Sequence, residues 1–155
     1  MKNPGIILLF MSMLLVFSCS TNSPVFERYN KFSNNTWDRF NQVIFNIPLQ
    51  KTENDYDIFL VIKPSKDFTY NALPVYVIMD TPSGEERMKD VTVHMKEGNK
   101  FVGEVEGQPV VIKTLLWKAL RISDKGNCRI SIENMIPKIQ TIGISEIGIM
   151  VEKSE

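Results

Sequence analysis

From Trp37 onward the chain is a succession of short runs rich in β-branched and aromatic residues, each ended by turn residues. Residues 56–63 and 73–79 carry apolar side chains at both odd and even positions, which is typical of central strands covered on both faces. Residues 91–96 alternate apolar and polar side chains, as half-buried strands do. No long stretch combines a 3.6-residue period with caps at both ends. This pattern predicts an all-β fold.

The number and spacing of the runs predict a jelly-roll-like β-sandwich of about eight antiparallel strands. Residues 109–122 are ambiguous: residues 110–112 suit a strand, whereas a helix would suit the spacing of Ile112, Leu115, Leu116, Ala119 and Leu120. For this segment we predict a strand followed by a loop.

The C-terminal run changes parity. Ile144 stands at an even-numbered position, whereas Ile147 and Ile149 stand at odd-numbered positions. A register shift of one residue moves every following side chain to the opposite face of a sheet. The change therefore predicts a β-bulge near Ser145 and Glu146.

The N-terminus has the pattern of a secreted lipoprotein. Lys2 precedes an apolar run of about a dozen residues, whereas a transmembrane helix needs roughly 20. Val16-Phe17-Ser18-Cys19 resembles the bacterial lipobox, in which the cysteine sulfur accepts a diacylglycerol. We predict that residues 1–18 are a signal peptide and that Cys19 is lipidated, with membrane lipid as the first partner. Two or three acyl chains anchor a protein stably.

The chain then divides into a polar tether, residues 19–35, and a β-sandwich domain, residues 36–155. After the signal peptide, about 137 residues remain, which is the size of one domain. Ser20 follows the lipidated cysteine, and neither an aspartate there nor an acidic cluster beyond it indicates another destination. We therefore predict a lipid-anchored protein on the periplasmic face of an outer membrane.

Composition argues against several classes of function. The 18 basic and 18 acidic side chains balance, and no Lys/Arg-rich stripe indicates a nucleic-acid partner. The single histidine, His94, lies on the polar face of its run, and Cys128 shares the apolar parity of Ile130. Asp55 and Asp57 form an acidic cluster without the spacing of a calcium loop. We predict no catalytic residues, no metal and no cofactor.

One group of residues is a candidate for ligand binding. Phe68, Tyr70 and Asn71, with Tyr76 as a further member, are predicted to form a stacking platform for a sugar or a peptide. For any one of these aromatic rings, packing in the core is the more frequent role. Both interpretations remain open at the level of sequence.

The order and spacing of several motifs are similar to those of the gliding-motility lipoprotein H (GldH) family of Bacteroidetes. The motifs are the lipobox at Cys19, Trp37, the apolar run opened by Tyr56, residues 68–73, the turn at residues 81–84, and the runs at residues 126–135 and 142–153. The resemblance implies an outer-membrane lipoprotein associated with gliding machinery and, through it, with protein secretion and polysaccharide use. It implies no catalytic residues.

These observations lead to ranked hypotheses. The first is a non-enzymatic interaction or structural component of an envelope complex related to gliding or secretion, with envelope proteins as partners. The alternative is a carbohydrate- or glycan-binding lipoprotein that uses the Tyr70 region. A hydrolase built on His94 and Cys128 is third, and the two side chains would have to lie on the same side of a sheet.

Overall fold

The computed structural model describes residues 23–49 and 53–155. The predicted signal peptide and Cys19 lie outside these ranges. Within them, no helix is long and apolar enough to cross a membrane.

The described residues form β-strands joined by turns and a single turn of 3-10 helix at Ser33–Asn35. The strands are β1 (Phe26–Lys31), β2 (Thr36–Asp38), β3 (Val43–Leu49), β4 (Asp55–Pro64), β5 (Ala72–Asp80), β6 (Glu86–His94), β7 (Lys96–Glu97), β8 (Lys100–Phe101), β9 (Ile112–Arg121), β10 (Gly126–Asn134), β11 (Gln140–Ile142) and β12 (Ile144–Lys153).

Two four-stranded antiparallel sheets carry the fold. The first has the order β1-β12-β4-β9, and the second has the order β3-β10-β5-β6. Small pairs β2/β11 and β7/β8 extend one end of the sandwich. With the long strands counted in chain order, the two sheets read 1-8-3-6 and 2-7-4-5, which is the double-sheet arrangement of a jelly roll. The predicted fold class is confirmed.

The core lies between the two sheets and follows from the period-two alternation of the strands. In β3, Val43, Phe45 and Ile47 are buried, and the residues between them are exposed. Ile58 of the first sheet and Ile130 of the second have no exposed surface. Burying each such side chain stabilises the fold by about 1.5–3 kcal/mol.

The outer face of β4 is also covered, as the sequence predicted. Val61 has no exposed surface although it points away from the core. On either side of it the ammonium groups of Lys63 and Lys113 lie 3.8 Å from the ring centres of Tyr29 and Phe59. The lysine stems and aromatic rings together shield this face, which explains why β4 is apolar on both sides.

The sandwich begins earlier in the chain than predicted. β1 lies inside the predicted tether of residues 19–35, and it pairs with β12 from Phe26 opposite Val151 to Lys31 opposite Glu146. The ring of Phe26 packs against the core. Charged residues alternate with Phe26 and Tyr29 in this strand because it lies at a sheet edge, and this polar composition resembles that of a linker.

The prediction of a strand followed by a loop in residues 109–122 is wrong in its order. The loop comes first, and β9 then runs to Arg121 with two register shifts against β4. Asp57 accepts a hydrogen bond from the backbone N–H of Ala119 at one shift (2.8 Å). Each shift adds a residue to β9, so the buried positions Leu116 and Leu120 fall four apart and imitate a helix. The bulge predicted in β12 is confirmed, between Ile144 and Glu146.

Candidate functional site

The two ends of the sandwich differ. At the near end, β1 starts and β12 finishes, and the short turns β5–β6 and β9–β10 join strands. The far end carries the longer connections, namely residues 32–42, 65–71, 95–111 and 135–143. Because binding residues concentrate on loops held by a rigid scaffold, the far end is the candidate functional site.

The far end presents an apolar tip made of Phe40 and Ile139. Phe40 is 86% exposed and Ile139 is 74% exposed. The backbone N–H of Arg39 donates to the carbonyl of Ile139 at 2.8 Å, which joins the two segments beyond the β2/β11 pair. Two large apolar side chains are therefore exposed on neighbouring, hydrogen-bonded segments of the far end.

Buried polar contacts fix the loop beneath the tip. Asn134 is buried, donates to the hydroxyl of Thr141 at 2.7 Å, and accepts from the N–H of Ile136 at 3.0 Å. Gly143 follows, with its N–H bonded to the carbonyl of Asn35 and its carbonyl bonded to the N–H of Ser65, both at 2.8 Å. Three far-end loops are thus connected through one short segment, since buried polar groups with partners hold a unique geometry.

A cavity of about 520 Å³ opens beside the tip, between the end of β1, the 3-10 turn and the β2–β3 connection. Its lining is mainly amide and hydroxyl side chains, with Phe32 as the aromatic member. The Phe32 ring stacks on buried Trp37 at 5.3 Å between centroids, and the indole N–H of Trp37 donates to the carbonyl of Asn41 at 2.8 Å. The wall of the cavity is therefore held by the core.

The predicted stacking platform is not assembled as expected. Phe68 has no exposed surface, so the prediction is wrong for this ring. Tyr70 is half-buried and meets Phe68 edge to face at 5.7 Å. Asn71 is exposed, and its carbonyl accepts from the N–H groups of Met95 and Lys96. Phe68 packs beside Gly143 because a glycine there leaves room for it.

Tyr76 is separate from this group. It lies half-buried on the outer face of the second sheet, opposite Glu133 of β10 and Asp90 of β6. For Tyr70, Asn71 and Tyr76, ligand binding stays a prediction.

The residues considered for catalysis are apart. His94 is exposed on the outer face of β6, whereas Cys128 of β10, in the same sheet, faces the core. The two side chains lie on opposite sides of the sheet, so they cannot act together as the base and the nucleophile of a hydrolase. Asp55 binds Arg121 at 2.6 Å, and Asp57 caps Ala119, so both carboxylates belong to the pairing of β4 with β9.

No group of three or more His, Cys, Asp or Glu side chains in the described ranges is arranged to hold a metal ion. Burial raises the pKa of the Cys128 thiol to about 11.

We expect Cys128 to resist thiol reagents in the folded protein. Its sulfur is buried and its raised pKa keeps the thiol protonated near neutral pH, so the reactive thiolate is scarce. Labelling by a maleimide at pH 7 should be slow in buffer. It should be complete in about 6 M guanidinium, which unfolds most small domains. Rapid labelling of a folded Cys19→Ala chain, in which Cys128 is the one cysteine of the sequence, would show that Cys128 is accessible.

Comparison with known proteins bears on this geometry. The sequence profile described as GldH lipoprotein matches residues 24–151, from the residue before Val25 through the body of β12. The chain belongs to the GldH lipoprotein family. The resemblance drawn from the motifs is confirmed, and the match includes β1 in the folded domain.

Two curated proteins are similar to this GldH-family chain over its whole length. "Gliding motility lipoprotein GldH" of Flavobacterium johnsoniae is 25% identical over 99% of this chain and 98% of that protein. "Gliding motility lipoprotein GldH homolog" of Christiangramia forsetii is 23% identical over 100% of this chain and 99% of that protein. The GldH-family domain therefore has the same extent in all three.

Sequence reasoning missed the far-end residues of this GldH-family domain. Asn34, Asn41 and Phe40 fall in or next to the segment interpreted as a tether. One sequence feature pointed to them: Phe32, Trp37 and Phe40 are interleaved with asparagines, an unusual density of aromatic rings for a linker.

Proposed function

We propose that this GldH-family chain is a lipid-anchored, non-enzymatic interaction module of an envelope complex related to gliding or secretion. Acyl chains on Cys19 hold it on the periplasmic face of the outer membrane, and the apolar tip contacts an envelope protein. The observation that supports this most is the placement of the tip at the far end, opposite the end from which the chain leads back to Cys19.

The length of the connection limits how the domain can be oriented. Seven residue steps separate Cys19 from Phe26, which span at most about 25 Å when fully extended. The ten-residue strand β4 measures about 33 Å from the near end to the far end. The tether is too short to turn the domain over, so the near end stays beside the lipid and the tip is available to partners within the periplasm.

The sheet edges are less suited to binding than the far-end loops. β9 is interrupted by two register shifts, and the edge strands β1 and β6 both carry several charged side chains. β3 contains Pro48, which has no N–H to offer to an added strand. Proteins use bulges, charges and prolines at edges to prevent strand addition. A partner is therefore expected to contact side chains at the far end.

Site-specific photocrosslinking in intact cells tests the proposal. A benzoylphenylalanine at position 40 should give adducts with one or a few envelope proteins, because Phe40 is the most exposed large apolar side chain described. The matched control is the same replacement at Met88, which is 58% exposed but lies on the outer face of the second sheet. This control should give no such adducts.

A Cys19→Ala version separates anchoring from binding. We expect it to leave the outer-membrane fraction and to lose the adducts formed from position 40, since a chain without acyl groups is no longer concentrated at that membrane. Retention of the Cys19→Ala chain in the outer-membrane fraction would contradict lipid anchoring. Equal adduct patterns from positions 40 and 88 would contradict a contact at the tip.

Charge at the tip should abolish the interaction without unfolding the domain. Phe40→Asp with Ile139→Asp changes two exposed positions, for which the effect on stability is within about 0.5 kcal/mol each. The double variant should fold with an unchanged melting temperature and recover at least about tenfold less partner after chemical crosslinking in intact cells, which does not depend on a photocrosslinker at position 40. Full recovery of partner proteins would place the contact elsewhere.

A further inference from the structure

The cavity beside the apolar tip has a lining of a definite chemical kind. Four amide side chains line it together with Ser33 and Thr36, and the amides are Asn30, Asn34, Asn41 and Gln140. An amide offers both donors and an acceptor, whereas a carboxylate only accepts and an ammonium only donates. A ligand that matches this lining must both donate and accept hydrogen bonds.

Three of these amides are available to a ligand. In residues 23–49 and 53–155, the side chains of Asn30, Asn34 and Asn41 have no hydrogen-bond partner, while Gln140 donates to Asp38 at 3.0 Å. Asn34 adopts a left-handed backbone conformation with φ of 54°, which asparagine tolerates better than most residues. Unoccupied amides are thus gathered around one opening.

The charges at the cavity are neutralised within the protein. Lys31 lies 3.5 Å from Glu146, which also binds Lys63 at 2.8 Å. The hydrogen bond from Lys63 and the nearby ammonium groups lower the pKa of Glu146, so the cluster stays ionised. The carboxylate of Asp38 receives the Gln140 amide. Lys31 and Lys63 share one carboxylate, and the positive charge that remains is matched by the negative charge of Asp38, so the net charge around the opening is zero.

An aromatic wall completes the cavity. Phe32 is the aromatic lining residue; it is half-buried and stacks on Trp37, which has no exposed surface. A ring held in this way offers an apolar face at low cost in conformational freedom, and C–H groups of a sugar pack well on such a face. At about 520 Å³ the cavity falls in the range of small-ligand sites.

We propose that this cavity binds a neutral saccharide. Vicinal hydroxyls of a sugar pair with the free amides, and the sugar ring rests on Phe32. A phosphate would require uncompensated cations, and an extended peptide would require a free strand edge or pockets for alternate side chains. The amide lining, the balanced charge and the aromatic wall together distinguish a saccharide from both. The site is separate from the apolar tip and from the predicted Tyr70 region.

Binding of defined oligosaccharides to the detergent-purified full chain tests the proposal. The probes are immobilised chitotetraose, mannotetraose, cellotetraose and maltotetraose, with a heparin oligosaccharide as the charged comparison and an unbiased peptide library beside them. We expect at least one neutral probe to bind. Asn30→Ala combined with Asn41→Ala should weaken this binding about tenfold or more, because two amide hydrogen bonds are lost.

Asn46→Ala is the matched control, since Asn46 is an exposed asparagine of β3 outside the cavity. It should bind the probe as the unaltered chain does, and all variants should show the same melting temperature. Phe40→Asp should also retain saccharide binding, which separates this site from the contact proposed at the tip. Binding of heparin or peptides alone, unchanged binding in the double variant, or no binding of any neutral probe would overturn the proposal.

Discussion

Replacing Gly143 by alanine is expected to lower the free energy of unfolding by about 2–5 kcal/mol. Gly143 has a φ of +95°, where a side chain costs about 1–2 kcal/mol. An added Cβ would also overlap the backbone N and Cα of Phe68, and forced overlap costs a further 1–3 kcal/mol, roughly. The same glycine hydrogen-bonds to Asn35 and Ser65, so moving it disturbs three loops of the far end.

Gly84→Ala is the matched control for this substitution. Gly84 has a similar φ of +85°, but an added Cβ would meet nothing within 4 Å. The control should lose only the conformational cost of about 1–2 kcal/mol, and the difference between the two variants measures the overlap with Phe68. Thermal and urea unfolding followed by circular dichroism give both values. Equal losses in the two variants would show that the close approach of Gly143 to Phe68 is absent in solution.

Trp37→Ala is the second substitution with a large expected effect, a loss of about 3–5 kcal/mol. Trp37 has no exposed surface, stacks on Phe32, and donates from its indole N–H to the carbonyl of Asn41 at 2.8 Å. Removing it leaves a void under the cavity wall and leaves the Asn41 carbonyl without its partner. The far-end loops should therefore loosen before the sheets unfold, and amide hydrogen exchange in residues 32–42 should accelerate under conditions in which the circular dichroism of the sheets is unchanged.

Trp117→Ala is its control, because the chain has 2 tryptophans and Trp117 is only half-buried. It should cost about 1–2 kcal/mol, in proportion to the smaller area removed from the core. Its remaining Trp37 also reports the far end by fluorescence without interference. A larger loss for Trp117→Ala than for Trp37→Ala would contradict the packing described.

The regular strands were predictable because one physical rule governs them. In β3 and β5 the buried residues alternate with outward ones without interruption, so period-two patterning places every side chain on the correct face. In β4 the outer residue Val61 is apolar because lysine stems cover it, and the sequence correctly indicated coverage on both sides. Local alternation was enough to predict a sandwich and its approximate number of long strands.

β9 could not be predicted because bulges break the correspondence between sequence parity and face. The two extra residues in β9 place Ile112, Leu116 and Leu120 toward the core at a spacing of four. Only the partner strand reveals the bulges, since Asp57 of β4 caps the N–H that one of them frees. β1 was missed for a related reason: its six residues are stabilised by pairing with β12, more than a hundred residues away, and not by their own composition.

The candidate site was the least predictable part. Asn30 and Asn41 are distant from Gln140 in sequence, and they meet only because β2 pairs with β11. Phe68 shows the opposite case, since its aromatic ring and polar neighbours indicated a surface loop. The missing side chain of Gly143 lets that ring enter the core. The space that Gly143 leaves for this ring cannot be inferred from the residues that surround Phe68 in the sequence.

The antiparallel pairing of β1 with β12 has a mechanical consequence. A pull between the lipid anchor proposed at Cys19 and a load held at the far end would run along the strand direction, parallel to β1. Its six residue pairs with β12 would then be strained together in shear and would not open one after another. Bonds that share a load in this way yield at higher force than bonds that unzip. An anchor strand in this geometry suits a protein that must stay attached while the machinery around it exerts tension.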